Sequence, residues 1–250
     1  MKTARNAAAL IASLTLITAP VLTACEDNTQ DSSSSSSAAS DSSADSSKSD
    51  TKDKDSKDKK TATSDTSPSQ AGSSAKPASG DTQEITGSST GLTFAVPKDW
   101  QDLKNLDPSE KERVAQTMGI DGAALDQQTA AFDVFYRAKK QDSTGFYNNV
   151  NMAAQTQQLA SVPSKSNIEL LLAGQGATLK EYTTKQTAKG EAAVGTYTIQ
   201  GGGKTAEGAV IVVPTSQPTA GAASYTTIYV SAGTADEETQ ITDTIIDTIH

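Results

Sequence analysis

Few side chains in this 250-residue chain can do chemistry, and their positions narrow what that chemistry can be. The only histidine is His250 and the only cysteine is Cys25. A histidine general base or a Ser-His-Asp relay needs an imidazole enclosed beside its partners, and position 250 is poorly placed for that. One His and one Cys are also too few for a zinc site of those ligands. Gly201 to Thr205, "GGGKT", invites a phosphate-loop reading, but the full pattern requires glycine at 198, where Thr198 stands. It also lies between two strand-like runs, so a hairpin turn is the expectation. Asp53 and Asp55 have the alternating spacing of a calcium loop without its central glycine or closing Glu. Asp236, Glu237 and Glu238 suit the first turn of a helix, where acids meet the positive end of the macrodipole. Trp100, Phe146 and Tyr147 are open to two readings, a ligand groove or core packing, with packing the expectation. No catalytic, cofactor-binding or metal-binding residue is therefore expected, and no ligand-binding residue can be named.

Cys25 is different. Lys2 and Arg5 precede an uncharged apolar run, "AAALIASLTLITAPVL", the n-region and h-region of an export signal. The run is shorter than the roughly 20 residues that span a bilayer as a helix, and Pro20 would disturb its last turn. Leu22, Thr23, Ala24 and Cys25 resemble the bacterial lipobox. That resemblance implies a thiol alkylated by diacylglycerol, cleavage before Cys25, and acyl chains such as palmitate holding the new N-terminus in the membrane. A lone thiol outside the cell has no internal disulfide partner, which fits this use. Two or more chains anchor stably where one does not. The alternative is an ordinary secretory peptide with a stray cysteine.

The elements that follow fall into two zones. From Glu26 to Glu84 there is no Val, Ile, Leu, Met, Phe, Trp or Tyr, so nothing offsets the entropy of ordering the segment. Seven lysines and twelve acids mix with serine runs. Residues 25–84 are thus expected to be a disordered tether, with a root-mean-square span of roughly 40 to 45 Å. Its Ser and Thr near Pro are either an unmodified spacer or sites for O-linked sugars. Residues 85–250 hold every aromatic side chain and suffice for one domain with a substantial core. Twelve basic against eighteen acidic residues leave no basic footprint for nucleic acid or an anionic membrane surface.

Within that zone, Leu92, Phe94 and Val96 alternate as a strand, followed by a bend carrying Trp100. Asp107-Pro108 with Glu110 starts a helix that runs to Met118 and stops at Gly119. A second helix is expected after Asp121. Next comes a strand with Phe132, Val134 and Tyr136 on one face and Asp133, Phe135 and Arg137 on the other, although the helix could continue instead. "FYNNVNMAAQTQ" reads as the returning strand and "NIELLLAG" as a short helix. Four strand-like runs then lead to a final helix. Thr234 and Glu237 form a capping box for it, and Ile241, Ile245 and Ile249 line its face. The sum is an α+β fold, one antiparallel sheet packed by helices.

The opening "GLTFAVPKDWQDL", the middle "FYNNVNMAAQ" and the strand-then-helix ending resemble the PsbP/Mog1-like superfamily, in particular the LpqN-type lipoproteins of actinobacteria, over residues of roughly 88 to 250. The resemblance implies an α/β/α sandwich and a non-enzymatic binding or assembly role. The reading is a lipid-anchored protein on the extracytoplasmic face of the cell membrane, in a Gram-positive envelope given the tether's length. It would serve as a binding or accessory module for an unknown envelope protein or small ligand. The alternative is a small lipid or glycolipid carrier with an apolar cavity. A hydrolase ranks last, and a two-lobed solute receptor needs a longer folded chain.

Overall fold

The computed structural model describes residues 74–201, 204–216 and 221–250. The signal segment 1–24, Cys25, the calcium-like spacing at Asp53 and Asp55, and nearly all of the expected tether lie outside them. The elements are β1 (Thr82–Thr86), β2 (Thr93–Pro97), β3 (Trp100–Asp102), α1 (Pro108–Met118), α2 (Gly122–Thr129), β4 (Phe132–Ala138), β5 (Asn149–Ala153), β6 (Gln157–Leu159), α3 (Lys165–Ala173), β7 (Ala177–Thr187), β8 (Gly190–Gly201), β9 (Lys204–Pro214), β10 (Ala223–Ala232) and α4 (Ala235–Thr248). The expected boundary at residue 85 falls inside β1, so ordered chain begins upstream of it.

The helix ends follow the local chemistry read from the sequence. The Asp107 carboxylate accepts from the Ser109 and Glu110 amides, and α1 closes at Gly119 in the left-handed region. Asp121 caps α2 through the Ala124 amide at 2.7 Å. At α4, Thr234 Oγ1 accepts from the Glu237 amide but donates to Glu237 Oε2, so the carboxylate answers the hydroxyl rather than the backbone N–H of a full capping box. The reciprocal box occurs at α3 instead, between Ser164 and Asn167.

All pairings are antiparallel. Where one sheet was expected, the described residues form two. The larger runs β3-β4-β5-β10-β9-β8-β7, with β6 also on β10, and β1-β2 is a separate hairpin. Trp100 is not in a bend but in β3, opposite Ala138, with its ring buried in the core.

Strand alternation then assigns the faces. One face, called closed here, carries Val134, Val150, Met152, Ile228, Val230, Ala209, Ile211, Val213 and Val194. These form one continuous cluster with Leu92, Phe94 and Val96 of the hairpin and with Ile241, Ile245, Ile246 and Ile249 of the α4 end. The other face is divided. Leu103, Val114, Ala115 and Leu125 cover Phe132 and Phe135 at one side. At the other side, Ile168 and Leu172 of α3 cover Ala193, Val210, Val212 and Tyr229. Strand β9 is buried on both faces because it lies in the middle, which is why it reads as the unbroken run "AVIVVP".

Two glycines permit the packing on the divided face. A Cβ on Gly195 would stand 2.7 Å from Ile168 Cγ2, so α3 seats directly on bare backbone. A Cβ on Gly208 would stand 2.4 Å from the Tyr197 ring, which lies across that position towards β10.

Candidate functional site

The register of the large sheet brings polar residues together on the divided face. Arg137 of β4 faces Asn149 of β5, which faces Ser231 of β10, followed by Gly208 and Tyr197. In the adjacent row Phe135, Asn151, Tyr229 and Val210 follow one another. A polar strip along β5 and β10 thus separates the two apolar clusters, and Asn149, Asn151 and Ser231 are each half-buried. On its α3 side, Gln175 Nε2 donates to Tyr229 Oη at 2.9 Å. Burial pushes the Tyr229 phenol up to about 12 and holds Tyr197 far above the ordinary tyrosine range, so both stay neutral near pH 7.

Arg137 is the unusual member. The residue is only 6% exposed, yet no acid pairs with it among the described residues. Its Nη2 donates to Thr117 Oγ1 of α1 at 3.1 Å, and Nε is buried with no acceptor. Burial pulls its pKa below the ordinary arginine value, opposed by Tyr147, whose ring centroid lies 4.0 Å from the guanidinium carbon. Such stacking contributes about 0.5 to 2 kcal/mol, whereas burying an unpaired ion costs several kcal/mol. Asn151 Oδ1 and Gln128 Oε1 of α2 are likewise buried without a partner.

The Tyr147 ring is set by the loop before β5. Asp142 Oδ1 accepts from Thr144 N, Thr144 Oγ1 and Phe146 N at 2.7 to 2.9 Å. Burial, the largest single influence, pushes the Asp142 carboxyl up, but these donors outweigh it and keep it below the usual range. Asn148 Oδ1 accepts from Gly233 N at 3.1 Å and fixes the loop to the β10–α4 junction.

The residues singled out from the sequence fall elsewhere. Lys204 donates to the Thr144 and Gly145 carbonyls, a loop brace rather than a phosphate ligand. Glu237 caps α4, and Glu238 accepts from Thr242 Oγ1 at 2.7 Å, its carboxyl held above the ordinary range by burial. His250 bonds through its backbone to Thr93 in both directions at 2.9 Å. The alternation expected in β4 breaks at a register shift between Phe132 and Val134. Phe132 thereby joins Phe135 edge to face at 5.3 Å, and Asp133 turns to the β1–β2 turn, where Ser88 Oγ and the Ser89 and Thr90 amides donate to it. No candidate in the sequence pointed to Arg137, Asn149 or Asn151 as a site. The available signal was the polar alternation of the two asparagines with Val150 and Met152.

No family model and no curated sequence matches the chain. Among solved structures it is similar to LpqN of Mycobacterium tuberculosis, a protein involved in cell envelope biogenesis, at 14% identity and a TM-score of 0.40, over 67% of this chain and 90% of that one. It is also similar to the cyanobacterial PsbP of Synechocystis sp. PCC 6803 at 15% identity and 0.39, over 72% and 98%. A third is the Ran-binding protein Mog1p of Saccharomyces cerevisiae at 11% and 0.38, over 68% and 94%. The α+β assignment itself stands on the strand order and layers described above.

Proposed function

We propose that the protein is a lipid-anchored binding or accessory module of the bacterial cell envelope, facing outward from the membrane and acting without catalysis. The anchor rests on the sequence alone: an export signal, the lipobox-like Leu22 to Cys25, and a long polar tether before the domain. The binding role rests on one observation, the polar strip between two separately closed apolar clusters. Its groups are an arginine, amides, hydroxyls and neutral phenols, which orient and hold a partner.

Two measurements on the full-length protein made in cells test the two halves. Metabolic labelling with an alkyne fatty acid should mark the wild-type chain and not Cys25→Ala, which should appear in the medium. An unlabelled wild type would refute the anchor. Hydrolysis of generic ester or phosphate substrates at enzyme-like rates by the purified protein would refute the non-catalytic role. A co-purifying lipid beyond the anchor, seen by native mass spectrometry, would shift the reading to the carrier alternative.

A further inference from the structure

We infer that Arg137 is the anion-holding group of the polar strip, and that its ligand presents a carboxylate or phosphate on a scaffold bearing hydroxyl or amide groups. The inference deepens the binding-module reading and rests on it.

A guanidinium has five N–H donors in a planar fork that matches two oxygens of an oxyanion. In Arg137 one of these meets Thr117 Oγ1, and Nε meets nothing. A positive group this deeply enclosed is expected to be paired. The Tyr147 ring, 4.0 Å from the guanidinium carbon to its centroid, offers π density but no oxyanion to the remaining donors. The other arginine of the described domain, Arg113, shows the contrast: it is exposed on α1 and still pairs with Glu110. The missing counter-charge at Arg137 is supplied, in this reading, by the ligand.

The neighbours define the rest of it. Asn149 stands opposite Arg137 in the same row, and Ser231 follows. One row away, Asn151 Oδ1 is a buried acceptor without a donor. A buried acceptor of this kind calls for an N–H or O–H group, so a bare inorganic anion would satisfy only part of the site. The domain is acidic overall, so attraction from a distance does not assist an anion. Recognition has to be local and stereospecific, which distinguishes it from adhesion to a charged surface.

The test is titration of the detergent-solubilised full-length protein with sodium phosphate, acetate, glycerol 3-phosphate and glucuronate by calorimetry, and with phosphatidylglycerol vesicles by flotation of the Cys25→Ala chain. The expected result is binding of glycerol 3-phosphate or glucuronate at least tenfold tighter than of phosphate or acetate. Arg137→Met should lose that binding at least tenfold, and Arg137→Lys should lose part of it. Should Arg137→Met fail to fold, Asn149→Ala, at a half-exposed position, should weaken the same ligand several-fold. Flotation with vesicles together with no soluble binding would assign the anion to a lipid headgroup, provided that Arg137→Met abolishes it. Unchanged affinity in Arg137→Met or Asn149→Ala overturns the inference, as does wild-type protein that binds none of the probes at millimolar concentration. Neither result touches the module reading, which falls instead if the bound probe is hydrolysed.

Discussion

The two faces of the large sheet are built from the same strands and do opposite things with them. On the closed face, alternating side chains from six strands meet a hairpin and a helix in one uninterrupted apolar layer. On the divided face, the same strands offer Arg137, Asn149, Asn151 and Ser231 between two smaller layers. A sheet needs one well-filled face to fold, and its second face is then free to carry groups that weaken packing. On the binding reading proposed above, the contrast gives stability to one side and recognition to the other.

The strongest way to break that contrast is to empty the closed face. Ile245 has no exposure and sits where α4 meets the sheet. Ile245→Ala should cost about 2 to 5 kcal/mol, read as a lower midpoint in urea unfolding, because both the transfer energy and the cavity count against it. A loss under about 1 kcal/mol would mean that α4 is not the keystone of that face.

A smaller effect is expected at Asp133, which pins the β1–β2 turn to β4. Burial, the largest influence, pushes its carboxyl up, but the donors from Ser88, Ser89 and Thr90 prevail and hold it below the usual value. A carboxyl with a lowered folded pKa contributes stability above its unfolded value, near pH 4, and loses it as pH falls through the folded one. Asp133→Asn should therefore cost about 1 to 2 kcal/mol at neutral pH and flatten the decline of stability as pH falls below about 4. Parallel acid unfolding curves for the two proteins would refute this account.

The smallest change sharpens the comparison from the other side. Asn151→Leu replaces a half-buried amide with an unsatisfied oxygen by an apolar group of similar size. It should leave stability within about 1 kcal/mol of wild type, or raise it, while weakening ligand. If it destabilises as Ile245→Ala does, the strip is structural and the division of labour between the faces is wrong.

The helices of both faces were legible in the sequence, because caps and periodicity are local. Asp107-Pro108 and Asp121 start α1 and α2 on the divided face, Thr234 starts α4 on the closed one, and Ile241, Ile245 and Ile249 line the face of α4. Strand β1 was not legible: "TQEIT" has one large apolar residue, and its stability comes from pairing with β2, which begins only at Thr93. Strand β3 is too short for any period to show. The polar strip was hidden for a related reason. Arg137 and Asn149 become neighbours only through cross-strand register, and the shift at Phe132 that sets the faces of β4 leaves no mark in composition.

The entry point of the chain carries a mechanical consequence. Lys76 bonds its backbone and its ammonium group to Asp247, and β1 follows directly, so incoming polypeptide meets the molecule on the α4 side. Traction transmitted from upstream would be borne by that clasp and then by β1, whose bonds to β2 would open one after another from Thr82, as a zip does. The opposite surface, which carries Arg137, takes no part in that load path.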